Sequence, residues 1–185
     1  MAQKIKLSNV RIAFANDLFV AKAGEDGGTP KFSSAFLIDP ADPQMVAVNK
    51  AIVATAAEKW GAKADVTLKG LRAVEKGGVR DGDLKSYTGY AGNLYINASN
   101  TMRPTVIDAD KTPLVQSDGK PYSGCVVNAS IEFWAQDNKF GKRINATLLG
   151  VQFVKDGEKF GSGSSVADAD EFDDVSAGST ADDLV

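Results

Sequence analysis

The residues best suited to chemistry lie between Ser86 and Cys125, where all four tyrosines, Tyr87, Tyr90, Tyr95 and Tyr122, fall among glycines and one arginine-proline pair, Arg103-Pro104. Two readings of such rings are open. A strand tyrosine commonly covers a sheet edge with its hydroxyl in water. Presented outward, the same ring is a platform for unpaired bases, because every base has a π-face and stacking tolerates any sequence. Two further aromatics invite the same question. Trp134 falls on the polar side of an alternating run, where an exposed indole wastes apolar area, although Glu132 shares that side. Phe140 stands among Lys139, Lys142 and Arg143 in DNKFGKR. It is either part of a cation-and-ring clamp on a turn or folded back over a barrel mouth.

Catalytic chemistry finds little support. The chain has no histidine, which removes the commonest general base together with Ser-His-Asp and Cys-His arrangements. Its single cysteine, Cys125, excludes an internal disulfide and a multi-cysteine zinc site, and reads as a small buried hydrophobe. Asp81, Asp83, Asp108 and Asp110 could be drawn on for magnesium, but their loop settings suggest no converging geometry. No catalytic residue, metal ligand or cofactor is assigned, and the chain is not expected to be an enzyme.

Charge is more informative by position than in sum. The 185 residues carry a formal charge of -3, which alone argues against a nucleic-acid partner. Seven of the 24 acidic residues lie between Ser162 and Val185, a stretch with no Lys or Arg, so the body holds 17 acidic against 21 basic residues. A mildly basic body thus carries an acidic appendage. Candidates for phosphate contact are Arg72, Arg80, Lys85, Arg103, Lys139, Lys142 and Arg143. Arg72 and Arg80, with Lys69 and Lys76, form either a basic rim or an ordinary solvated surface. Arg103 could equally serve in an ion pair with Asp108.

The elements that would position these groups are mainly strands. Asn93 to Ser99 alternates, with Leu94, Ile96 and Ala98 on one face and Tyr95, Asn97 and Ser99 on the other. Val126 to Gln136 alternates likewise, sending Val127, Ala129, Ile131 and Phe133 inward. Lys4 to Ala15 is a strand whose phase slips near Ser8-Asn9, as at a bulge; Ile5 and Leu7 share one face, followed by Val10, Ile12 and Phe14. Phe32 to Asp39 pairs with it across a glycine-rich loop, Lys22 to Lys31. Asp42-Pro43 opens one amphipathic helix, with Met45, Val48, Ile52 and Ala56 along a face and Gly61 as its stop. Lys63 to Asp83 reads as loop-rich, and Ile144 to Val154 as the last strand. From Gly161 the composition turns to Gly, Ser, Ala and Asp, too poor in apolar residues to offset the entropy of ordering, which predicts disorder. Within that tail Phe172, Asp173 and Asp174, and Asp182, Asp183, Leu184 and Val185, mix apolar side chains with carboxylates, as short partner-binding peptides do. The tail could otherwise serve only solubility.

The ordered set Gly89, Ile96-Asn97-Ala98, Arg103-Pro104, Val106, Asp108 and Tyr122-Ser123-Gly124-Cys125 resembles the core motif of the phage single-stranded DNA-binding proteins. The similarity continues through Ser130 to Trp134, Gly150-Val151-Gln152 and Lys155-Asp156-Gly157, and so covers the second half of the chain. It implies an OB-fold-like Greek-key barrel over residues 1–160 and a disordered acidic tail over 161–185. It also implies sequence-tolerant binding of single-stranded DNA in phage replication, recombination or repair. Replication or recombination proteins would be partners of the tail, which would also compete with DNA for the basic groove. By position and residue type, and not through the resemblance, the stacking candidates are Tyr87, Tyr90, Tyr95, Trp134 and Phe140. The competing expectation is a phage structural or adaptor protein that uses the same β-body for protein contacts. The N-terminal stretch has no apolar run suited to a signal peptide or membrane span, so a cytoplasmic setting, that of the host if phage-encoded, is expected.

Overall fold

The computed structural model describes residues 2–160 and 172–176. Its strands are β1 (Gln3–Ala13), β2 (Phe32–Ile38), β3 (Arg80–Asp81), β4 (Leu94–Asn100), β5 (Thr105–Ile107), β6 (Val126–Asn138) and β7 (Gly141–Lys155). They lie in the order β3-β4-β2-β1-β6-β7-β5, and β4 also meets β7 in parallel where Ser99 faces Thr147. That contact closes β1, β2, β4, β7 and β6 into a five-stranded barrel, the architecture of an OB-fold.

Closure depends on local irregularity. Along β1 and β6, Leu7 faces Ala129 but Val10 faces Val127, so one extra residue is inserted where the sequence changes phase. Asn9 takes the left-handed φ of 52° at that bulge, and its N–H donates to Asn128 Oδ1 at 3.0 Å. A bulge increases twist and bends the strand, which lets β1 pair with β2 at one end and β6 along the other. Leu7, Ile12, Phe36, Ile96, Val127, Ile131, Phe133 and Leu148 fill the interior.

Helix α1 (Met45–Trp60) packs Val48, Ile52 and Ala56 into this core, and Asp42 Oδ1 accepts from the Gln44 N–H at its start. Gly61, at φ 53°, ends α1 as the sequence suggests. The chain does not then become a loop. After a 3-10 turn at Gly61–Lys63 it resumes as α2 (Ala64–Ala73), which buries Ala64, Leu68 and Leu71. Their spacing of four and three residues is helical, and burying that face outweighs the cost of about 1 kcal/mol for a glycine such as Gly70 inside a helix.

Phe14 also departs from expectation. Alternation places it with Val10 and Ile12, but β1 ends at Ala13 and Phe14 adopts φ 58°, ψ 41°, turning its ring outward. Its carbonyl accepts from Ser34 Oγ, and the next N–H, of Ala15, donates to Ser123 Oγ. Among the described residues no helix is long and apolar enough to cross a membrane. Of the tail, Phe172, Asp173 and Asp174 are described, with Phe172 exposed. Asp182, Asp183, Leu184 and Val185, and most of the stretch expected to be disordered, lie outside the described residues.

Candidate nucleic-acid interface

A groove of about 750 Å³ runs over the outer face of β2 and β4 and up to the paired ends of β6 and β7. On an OB barrel this is the face of the second and third barrel strands, flanked by the loops between strands one and two and between four and five. Here those loops are the segment after β1, carrying Phe14 and Lys31, and the β6–β7 hairpin.

One wall is a row of four rings. Phe14 meets Tyr87 edge-on at 5.2 Å, Tyr87 meets Tyr90 at 5.3 Å, and Tyr90 meets Tyr95 at 5.0 Å. The row has an exposed and a buried half. Phe14 and Tyr87 are 45% and 52% exposed, whereas Tyr90 and Tyr95 are 1% and 3% exposed. The stacking role expected of Tyr90 and Tyr95 therefore needs correction, since neither has a free face to offer a base. They are the floor on which Tyr87 stands. Burial, together with the neighbouring phenols of Tyr95 and Tyr87, pushes the Tyr90 hydroxyl up to about 12. Tyr122 lies elsewhere, its phenol donating to Asp156 Oδ1 at 2.7 Å.

Strand alternation decides which residues of the β6–β7 hairpin reach the groove. Trp134 faces Asn145 and Gln136 faces Arg143, and all four line it. Trp134 is 41% exposed and lines the groove from β6, on a different strand from the tyrosine row. Asp137 and Lys142, one residue out of phase, turn to the other side. There Asp137 accepts from Trp60 Nε1 at 2.9 Å, and Lys142 Nζ stands 3.9 Å from Asp137 and 5.9 Å from the Trp60 ring. Lys142 is thus engaged beside α1 and lies outside the groove. Lys139 and Phe140 form the hairpin tip. Phe140 is 79% exposed, so it does not fold back over the barrel, and Lys139 Nζ sits 5.1 Å from its ring.

The groove also collects Lys31, Arg80, Lys85 and Arg143. Arg80 is placed by β3, where it faces Tyr95 on β4. The one carboxylate along the groove among the described residues, Asp17, is held by Lys22 at 2.6 Å. Arg72 and Arg103 are not brought in. Arg72 sits in the last turn of α2 with its stem against Gly77. Arg103 lies 5.9 Å from the Phe19 ring, and its expected partner Asp108 is taken by Lys120 at 2.7 Å, a bond that lowers the Asp108 pKa and raises that of Lys120.

Sequence reasoning missed Phe14 and Lys31. Nothing local marks Phe14, because its outward turn depends on Ser34 and Ser123 from distant segments; Lys31 is marked only as the last residue of the glycine-rich loop. The carboxylates considered for magnesium are spent on backbone and ion pairing. Asp81 accepts from the Asp83 N–H, Asp83 from Gly92 and Asp110 from Thr112, while Asp108 holds Lys120. A second hollow of about 580 Å³ over β1, β5, β6 and β7 offers Lys4 and Lys6 but no aromatic side chain among the described residues.

Comparison with known proteins points to one family. A family model described as the ssDNA-binding protein of Enterobacter phage Enc34 matches residues 3–185. The "Putative protein p50" of Acyrthosiphon pisum secondary endosymbiont phage 1 is 46% identical over 178 residues, 94% of each chain. The single-stranded DNA-binding protein of bacteriophage Enc34, solved in complex with ssDNA, is 33% identical, with 86% of this chain and 90% of that one covered at a TM-score of 0.73. The single-stranded DNA-binding protein gp2.5 of bacteriophage T7 is 12% identical over 91% of this chain and all of its own, at a TM-score of 0.55, a likeness of fold alone.

Proposed function

The chain belongs to the family of the single-stranded DNA-binding protein of Enterobacter phage Enc34, and we propose that it binds single-stranded DNA with little regard to sequence during phage DNA replication, recombination or repair. The observation that carries this reading is the groove on the OB binding face, which exposed rings and cations line together. Bases stack on Tyr87, Phe14 and Trp134, with Phe140 available at the hairpin tip. Tyr90 and Tyr95 act as support. Lys31, Arg80, Lys85 and Arg143 meet the phosphates and release counterions, while Lys139 extends the positive rim and Arg72, Arg103 and Lys142 stand apart from it. Stacking is indifferent to base identity, so affinity without sequence preference follows.

Residues 1–160 form the binding body, and 161–185 an acidic tail that competes with DNA for the groove and recruits replication or recombination proteins. The protein acts in the host cytoplasm and without catalysis, its work being to hold and cover the strand.

The test is titration of labelled oligo-dT over a salt series with the full chain and with a chain ending at Gly161, using duplex DNA as competitor. Four phosphate contacts give a log K against log salt slope of about −3 for a single strand. Binding that duplex fails to displace, and that tightens when the tail is removed, supports groove and tail together. Absence of binding by either chain overturns the reading and favours an adaptor acting through protein contacts.

A further inference from the structure

Phe160 is the last described residue before the acidic segment, and it does not line the groove. It packs against the cluster of Ala13, Ala35, Leu37, Tyr90 and Tyr95, which includes the buried half of the ring row. Its own ring has two close neighbours. The Arg11 guanidinium lies 4.2 Å above its centroid, and the backbone of Gly89 lies against it so closely that a Cβ there would collide with the ring. Arg11 is itself fixed, donating from Nε to the Gly124 carbonyl at 3.0 Å and from Nη2 to the Glu158 carbonyl at 2.6 Å, while the Phe160 N–H donates to the Ser123 carbonyl at 3.0 Å.

Gly89 sits midway in the loop from Lys85 to Asn93, which presents Tyr87. Lys85 through Thr88 are exposed. The loop's other ties gather mostly at its second half, where Tyr90 is buried, the Tyr90 N–H donates to the Tyr87 carbonyl, the Asn93 N–H to the Tyr90 carbonyl, the Gly92 N–H to Asp83 Oδ1 and Asn93 Nδ2 to the Gly89 carbonyl, while at its start the Lys85 N–H donates to the Gly82 carbonyl. The exposed half, Lys85 to Thr88, must be in order when a base stacks on Tyr87, and that ordering subtracts from affinity unless it is done beforehand.

We propose that Phe160, clamped by Arg11, is a positioning residue for base stacking: it props the Lys85–Asn93 loop through Gly89 and so holds Tyr87 ready for a base. Gly89 is glycine because a side chain at this point, where φ is +86°, would push the prop away. The inference rests on the reading of the groove as a single-strand site and adds to it a residue outside that groove.

The experiment is oligo-dT titration over a salt series with Phe160→Ala, Tyr87→Ala, the double variant, and Phe160→Ala combined with Arg143→Ala, with thermal melting alongside. The expected result is affinity lower by about 3- to 10-fold for Phe160→Ala, with the salt slope unchanged because no cation is removed. The loss should vanish when Tyr87 is already Ala, and add in full to that of Arg143→Ala. Phe160→Tyr restores affinity. If Phe160→Ala fails to fold, Phe160→Leu, which keeps apolar bulk beside Tyr90, carries the same expectation. Unaltered affinity in the Phe160 variants, or a loss that adds fully to that of Tyr87→Ala, overturns the positioning role while leaving the groove intact. Failure of the unsubstituted chain to bind overturns the groove and the prop together.

Discussion

Tyr90 and Tyr87 are three residues apart, share a side-chain type and touch at 5.3 Å, yet one is buried and the other about half exposed. A ring with no free face cannot stack a base, but it can set the height and tilt of one that does. Burial leaves a measurable trace on Tyr90. Its hydroxyl ionises near 10 when unfolded and at about 12 in the fold, because the buried ring resists charge. The stability this difference represents is intact below pH 10 and is lost as pH rises to 12, since the unfolded chain gives up its proton first. Urea unfolding between pH 9 and pH 12 should show a decline in the native chain that exceeds that of Tyr90→Phe by on the order of 2 kcal/mol. Parallel curves for the two would mean that Tyr90 ionises as freely folded as unfolded.

At the scale of elements, the β6–β7 hairpin sorts its cations by parity. Arg143 pairs with Gln136 and faces the groove, whereas Lys142 pairs with Asp137 and turns to α1. DNKFGKR names a basic turn, and side-chain alternation then divides it between two sides of the molecule. Arg143→Ala is expected to flatten the salt slope for oligo-dT by about 0.7. Lys142→Ala should leave that slope within error. Equal changes in both would show that the hairpin twists enough on binding to bring its outer side to the strand.

Over the whole molecule, two distant parts of the resemblance prove to be one crossing. Gly124 of Tyr122-Ser123-Gly124-Cys125 and Gly157 of Lys155-Asp156-Gly157 approach backbone to backbone, so that a Cβ on Gly124 would meet the Glu158 carbonyl and one on Gly157 the Gly124 carbonyl. The Gly124 N–H donates to the Ile12 carbonyl, which ties β1 into the same knot, and Gly124 has φ +103°. Gly124→Ala must therefore bear both steric conflict and a disfavoured φ, at a cost of roughly 1–3 kcal/mol or more. Gly92→Ala shares a positive φ but meets open space, and should cost only about 1–2 kcal/mol. Chemical denaturation of the two variants measures the difference, and equal losses would show that the crossing adds nothing beyond backbone strain.

Local periodicity and composition are legible in the sequence: the alternation of β4 and β6, the bulge at Ser8-Asn9, a helix opening just after Asp42-Pro43 although its N-cap position is Gln44, and the separation of a basic body from acidic residues near the C-terminus. These follow from the two-residue period of strands, the phase slip at an extra residue, and capping chemistry, all of which act over neighbours. Which rings are walls and which are floor was settled by the closed barrel, because exposure is set by what packs from elsewhere. Tyr90 is covered while Tyr87 stands free, Phe14 turns out through bonds to Ser34 and Ser123, and Arg103 is left without Asp108 because Lys120 reaches it first. Such choices are made between residues far apart along the chain. They exist only once the barrel has closed.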